Sequence, residues 1–199
     1  MEIIFGIIVL ILSIILHEVA HGYAAEALGD PTARYAGRLT LNPIPHIDPV
    51  GSIILPLVTW FSGGFIFGWA KPVPYNPYNL RHGVWGEAWV AAAGPITNIA
   101  IAFIFGLLIR FAPIPSGLIE IFQLIVVVNI SLAIFNLVPI PPLDGSKILF
   151  ALLPPSKQNI RYALEQYGFI LVIVFILVGW KFISPLVLAL FSLFTGLSF

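Results

Sequence analysis

Between Ile3 and Leu16 the chain carries no charge, and Ser13 is its only polar side chain. The largely apolar run continues to Leu28-Gly29-Asp30-Pro31, where glycine and then proline supply helix stop signals. Read as one helix, residues 3–28 extend roughly 39 Å at the standard rise, enough to cross the hydrocarbon core of a bilayer. Composition agrees: 59% of the 199 residues are hydrophobic and 9% are charged, against about 25% charged in soluble domains. Mean hydropathy is +1.03. A soluble core cannot absorb that much apolar surface, so the chain reads as an integral membrane protein.

Inside that first helix stands His17-Glu18-Val19-Ala20-His21. Residues four apart share a helix face, so both imidazoles project the same way, at a spacing that suits two ligands of a tetrahedral zinc ion. Glu18 sits beside the metal without binding it, where it can take a proton from a zinc-bound water. By the same rise His21 lies about 10 Å and His17 about 16 Å from the helix's C-terminal end. Ionisable groups at such depth signal function.

The rest of the chain alternates between spans and loops. Residues 34–42 alternate, with Tyr35, Leu39 and Leu41 on one side and Arg38, Thr40 and Asn42 on the other, the period of a half-buried strand. The prolines of residues 42–49 forbid regular structure, and His46 and Asp48 within them read as loop-ordering residues. Residues 50–69 are apolar but broken by Pro56 and Ser62-Gly63-Gly64, so they are a full crossing or a re-entrant loop. Residues 70–86 form a polar loop. Residues 87–111 and 118–138 are two further crossings, the latter roughly 31 Å long. Residues 146–165 look amphipathic and interfacial. Residues 166–199 make one kinked or two short spans. The fold class expected is all-α and polytopic, with an intramembrane core over residues 1–155 and C-terminal membrane helices over 156–199 of the same domain. Net charge is zero, so no nucleic-acid surface is implied, and the absence of cysteine excludes disulfides and thiolate metal sites. Glu2 stands where a signal peptide would be basic, so the first helix is expected to be retained.

Charge bias separates the two readings of residues 50–69. A full crossing divides the basic residues four against five. A re-entrant loop puts Arg34, Arg38, Lys71, Arg81, Lys147, Lys157 and Arg161 on one side, with Arg110 and Lys181 opposite. The re-entrant reading places the N-terminus outside and the polar loops in the cytoplasm. The metal demands the same topology. Two imidazoles need a third protein ligand, and among the carboxylates only Asp144 lies in an apolar, proline-rich setting just past a membrane helix. It reaches the depth of His21 only if both helices end on one side.

These residues resemble the site-2 protease family of intramembrane zinc metalloproteases, in its short form without PDZ or CBS domain. The resemblance rests on His17-Glu18-x-x-His21, on Asn136-Leu-Val-Pro139-Ile-Pro-Pro-Leu-Asp144-Gly145, and on Gly94-Pro95-x-x-Asn98 between them. It implies one zinc ion bound by His17, His21 and Asp144, with Glu18 as general base, hydrolysing peptide bonds in or near transmembrane segments of membrane proteins. Under that reading Asn98 or Asn136 helps to stabilise the oxyanion, and the strand around Arg38, Leu39, Thr40 and Leu41 receives the unwound substrate by strand addition. The expected partners are the lipid bilayer and a transmembrane protein substrate, and the expected place is the cell membrane with the site toward the cytoplasm. Two other classes use the same residues: a metal transporter, and a scaffold that holds transmembrane clients without cutting. Residues 3–15 offer a transporter only Ser13 as a polar step, and a scaffold has no need of Glu18.

Overall fold

The structure, a computed structural model, describes residues 2–63 and 68–197. Among these, four helices are long and apolar enough to cross a membrane: Ile4–Ala27, Val84–Phe111, Ser116–Asn136 and Gln158–Gly179. The helices are α1 (Glu2–Ala27), α2 (Thr32–Tyr35), α3 (Leu55–Gly63), α4 (Val84–Phe111), α5 (Ser116–Asn136), α6 (Asp144–Leu152) and α7 (Gln158–Thr195). No strand occurs among the described residues, and the all-α expectation holds.

Three long helices meet around buried polar groups. Antiparallel α1 and α4 approach closely at Gly94, where a Cβ would stand 2.6 Å from ring atoms of His17 and His21. Asn98 and Asn129 are fully buried and link α4 to α5 through an amide hydrogen bond of 2.8 Å. Both reach α1: Asn129 Nδ2 donates to Ser13 Oγ at 2.9 Å and Asn98 Nδ2 to Ser13 O at 3.3 Å. Hydrogen-bonded amides at this depth hold the three helices in one register. Behind them Ala102 of α4, Val126 and Ile130 of α5, and Ile183, Val187 and Phe191 of α7 form one apolar cluster. The C-terminal helix therefore shares a core with the rest.

Residues 34–42 are not a strand. Gly37 takes φ +65° and closes a turn after α2, with Gly37 and Arg38 N–H bonded to Arg34 O and Ala33 O. Exposure does not follow the alternation: Tyr35 is 84% exposed and Arg38 only 6%. Arg38 turns inward because its guanidinium donates to Lys71 O at 2.6 Å. The amphipathic stretch 146–165 is likewise two pieces, α6 and the start of α7, separated at Leu153-Pro154-Pro155, where proline cannot continue a helix.

Residues 50–69 begin with a wide helical turn, Pro49–Ile54, capped by Asp48 Oδ1, which accepts from Val50 and Gly51 N–H at 3.0 and 2.7 Å. α3 follows. Residues 64–67 lie outside the described residues. Beyond them Trp69 N–H donates to Gly51 O at 3.1 Å, so the chain is again beside the point where it left.

From Trp69 the chain runs extended over the end of α1, pinned at alternate residues. Lys71 N–H donates to His46 O at 2.9 Å, and Val73 N–H to Glu18 Oε2 at 2.8 Å. Pro72 and Pro74 fall between and have no N–H to satisfy. Asp30 ends the strap. Its Oδ2 accepts from Asn76 N–H at 2.6 Å, and its Oδ1 from Asn79 Nδ2 at 2.8 Å and Thr32 Oγ1 at 2.6 Å.

Candidate metal centre

His17, His21 and Asp144 come together although 123 residues separate the last two. Asp144 Oδ2 stands 3.0 Å from His17 Nε2 and 3.3 Å from His21 Nε2. The three ligand-type atoms lie within 4.8 Å of one another. α1 supplies both imidazoles one turn apart. The loop after α5 brings Asp144 back, with Gly145 packed so closely on Leu137 O that a Cβ there would stand 2.1 Å away. Glycine is the one residue that lets the backbone approach so far.

The partners on the far side of each ring decide where the protons are. His21 Nδ1 lies 2.7 Å from Val90 O, and a carbonyl only accepts, so Nδ1 carries the hydrogen. His17 Nδ1 lies 2.6 Å from Asn98 Oδ1. The Asn98 nitrogen donates to Ser13 O and Asn129 Oδ1, which turns its oxygen to His17 and makes that Nδ1 the donor as well. In the neutral form that a metal ligand takes, each ring then keeps a lone pair on Nε2. Two such lone pairs face Asp144 Oδ2, which is buried and finds no hydrogen-bond donor among the described residues. Three acceptor atoms converging in a buried place repel unless a cation lies among them. Two imidazoles and a carboxylate, each imidazole oriented from behind, are the donor set of a catalytic zinc with an open fourth position. The residues fit the ion.

Other predicted residues fall in different places. Glu18 is half-buried and held through Oε2 by Val73 N–H. Arg38 is near enough to Glu18 for their charges to attract. Asn98 touches the centre through His17, and both hydrogens of its amide are spent, so it orients a ring and has no free donor for an oxyanion. Asn136 Nδ2 bonds back to Leu132 O within α5, at 2.9 Å. Leu39 packs on Gly22, with Cδ2 2.5 Å from where a Cβ would stand, Thr40 offers its carbonyl to His46, and Leu41 is exposed. The strand proposed for these residues has no counterpart.

Sequence reasoning missed the Val90 carbonyl, the Val73 N–H and Tyr75. The first two are backbone atoms without a side-chain signature. Tyr75 is half-buried, and burial, with the negative charges of Glu87 and Asp144, pushes its phenol up to about 12. It stays protonated and can serve only as a neutral group.

Residues 5–179 match the model of peptidase family M50. The chain is 39% identical over 189 residues to "Putative zinc metalloprotease YwhC" of Bacillus subtilis, covering 90% of this chain and 80% of that protein. It is 30% identical over 174 residues to "Putative zinc metalloprotease Rip2" of Mycolicibacterium smegmatis, covering 84% of this chain and 64% of the relative. A shorter match, 45% identical over 60 residues, joins it to "Putative zinc metalloprotease MJ0611" of Methanocaldococcus jannaschii, across 30% of this chain and 31% of that one. No solved structure matches the chain significantly.

Proposed function

The chain belongs to peptidase family M50 and is a membrane-embedded metalloprotease, and we propose that it hydrolyses peptide bonds in or near transmembrane segments of membrane proteins, with zinc as its metal. The observation that carries this reading is the convergence of His17 Nε2, His21 Nε2 and Asp144 Oδ2, three atoms of metal-ligand type within 4.8 Å of one another. In this reading those residues hold one zinc ion. Zinc, when bound, supplies a Lewis acid that acidifies water and polarises a carbonyl.

The protein's own groups do the rest. Glu18 follows the first ligand and is the base placed to take the proton of the attacking water, then to return it to the leaving amine. The Val73 N–H holds one of its oxygens and keeps the carboxylate aimed. Asn98 and the Val90 carbonyl keep both imidazoles in the tautomer that turns Nε2 inward. The apolar run of α1 toward the N-terminus keeps water away on that side, so water reaches the centre from the polar loops. We infer that residues 50–69 are re-entrant, because Trp69 returns to Gly51, and that the loop side is cytoplasmic, because it carries most of the basic residues.

The test is cleavage of a lysine-flanked Leu/Ala single-span peptide with a central Gly-Pro pair, in nanodiscs with zinc supplied. Wild type should cut it. Glu18→Gln should lose at least about a hundredfold, the ordinary contribution of a positioned base, while still retaining zinc. Equal cutting by the two forms would overturn the assignment of Glu18, and a peptide left intact by wild type with zinc supplied would overturn the proteolytic reading.

A further inference from the structure

The centre has a metal-ligand set and a base, but the nearby donors that could steady an oxyanion are committed elsewhere. Both hydrogens of Asn98 are spent on Ser13 O and Asn129 Oδ1, and Asn136 bonds back into its own helix. The guanidinium of Arg38 is tied to Lys71 O, and its Nε is buried out of reach. Lys147 Nζ lies 4.0 Å from Glu87 Oε2. A different donor stands on the strap.

From Pro72 to Tyr75 the strap alternates. Pro72 and Pro74 are exposed, Val73 is buried and Tyr75 is half-buried. In an extended chain residues two apart share a face, so Tyr75 turns inward like Val73. Val73 is anchored at the centre: its N–H holds Glu18, and its side chain lies 3.0 Å from where a Cβ on Gly22 would stand. Tyr75 follows one step outward and packs against the cluster of Ala25, Leu80 and Val90. Ala25 is one turn beyond His21 on the same face of α1. Val90 is the residue whose carbonyl holds the His21 ring. The rise from Ala25 back to His21 is about 6 Å, a gap that a tyrosine side chain spans. The negative charges of Glu87 and Asp144 both act on the phenol, so it stands near the third ligand as well. Its hydroxyl is not among the buried side-chain atoms that lack a hydrogen-bond partner, and no bond occupies it among the described residues, so it is open to the space around it.

We propose that Tyr75 is a catalytic residue, whose hydroxyl donates a hydrogen bond to the oxygen of the scissile carbonyl as that oxygen becomes an anion. The proposal rests on the proteolytic reading. Water adds through its oxygen to the carbonyl carbon, its proton goes to Glu18, and the π pair of the carbonyl moves onto the carbonyl oxygen. When that pair returns, the C–N bond breaks and the nitrogen takes the proton from Glu18. Tyr75 transfers no proton in either step. Its hydrogen bond is stronger to the anion than to the neutral carbonyl, so it lowers the barrier more than it tightens binding. Two carboxylates beside the centre disfavour further negative charge there, and a donor that keeps its own proton offsets them.

The test uses the same Leu/Ala peptide with its Gly-Pro pair, in nanodiscs with zinc supplied. Tyr75→Phe keeps the ring against Ala25 and Val90 and removes only the hydroxyl. It should lower kcat about a hundredfold, the ordinary cost of one oxyanion donor, with KM and zinc per chain unchanged. Replacing Tyr75 by p-aminophenylalanine puts an N–H donor in the same place and should recover at least about tenfold of that loss. Should Tyr75→Phe not fold, O-methyltyrosine at the same position keeps ring and oxygen but has no hydrogen to donate, and should show the same fall in kcat. An unchanged kcat, a loss that p-aminophenylalanine does not recover, or a loss carried by KM or by zinc retention would overturn the role of Tyr75, while Glu18-dependent cutting by wild type would leave proteolysis standing. A peptide left intact by wild type would strike the proteolytic reading itself, and the role of Tyr75 would fall with it.

Discussion

The imidazoles of His17 and His21 are held from behind by Asn98 and the Val90 carbonyl, and this is where single substitutions should be most telling. Asn98→Leu removes the acceptor for His17 Nδ1 and leaves Asn129 without its amide partner. The expected loss is about 10–100-fold in zinc affinity or activity, as for other groups that orient a metal-binding histidine, read as zinc per chain after dialysis against graded chelator. Gly94→Ala acts by steric means: the new methyl would stand 2.6 Å from both rings. It should cost at least about tenfold in the same measurement, and unchanged zinc retention would show that the rings are not pinned there. Legibility differed between the two. An amide inside an apolar helix is conspicuous, yet its residue type does not say which partner it takes, and a free oxyanion donor was a reasonable reading of Asn98 until its hydrogens were found spent. Gly94 was visible only as part of Gly-Pro-x-x-Asn, because a glycine's reason lies in what approaches it. The convergence of His17 and His21 with Asp144 was readable because a metal needs three donors and few carboxylates sit at membrane depth. The Val73 and Val90 contacts come from backbone atoms, which every residue has, so no pattern of side chains marks them.

Long apolar helices announce themselves by length, whereas short connecting elements depend on contacts made elsewhere in the chain. Residues 34–42 alternate like a strand, but Gly37 turns the chain and Lys71 O draws Arg38 inward. A tertiary hydrogen bond outweighs local periodicity there. The strap from Trp69 to Asn76 likewise has no periodic signal, being held by His46, Glu18 and Asp30. Asp30 is the strongest of these anchors. Burial alone would raise its carboxyl, but hydrogen bonds from Thr32, Asn79 and Asn76 outweigh it and hold the group below the ordinary aspartate range. Its folded value is therefore the lower one. The stability it contributes is complete above the unfolded value, near ~3.9, and is lost as pH falls through the folded value. Asp30→Asn should cost about 1–3 kcal/mol at neutral pH by putting a donor against the Asn76 N–H. Thermal unfolding in detergent should show the gap between wild type and Asp30→Asn constant from pH 7 to about 5 and narrowing below about 4. A gap that stays constant to pH 3 would mean that the carboxylate charge is not what holds the strap.

At the scale of the whole molecule, one site fixes where the helices end. Asp144 meets His17 and His21, so α1 and α5 finish on the same side and α4 runs between them in the opposite sense. The loop that includes Tyr78 and the start of α7, which carries Tyr162, then lie on that side, and the α4–α5 turn at Ser116 lies on the other. Arg34, Lys71, Arg81, Lys147, Lys157 and Arg161 all belong to the first side and Arg110 to the second, the positive-inside bias behind the proposal that the first side is cytoplasmic. This assignment requires residues 50–69 to return without crossing. A crossing would send Tyr78 to the side of Ser116, yet Trp69 N–H bonds Gly51 O, and Asn76 and Asn79 bond Asp30 at the end of α1. Because the chain has no cysteine, single cysteines report cleanly. Tyr78, 97% exposed, and Tyr162, 65% exposed, replaced one at a time by cysteine, should react with a membrane-impermeant maleimide only after the cytoplasmic face is opened. Ser116→Cys should react in intact cells. Labelling of Tyr78→Cys from outside while Tyr162→Cys stays protected would make residues 50–69 a true crossing and separate Glu18 from the strap that holds it. The reverse of all three would leave the fold intact and turn the metal centre to face the outside.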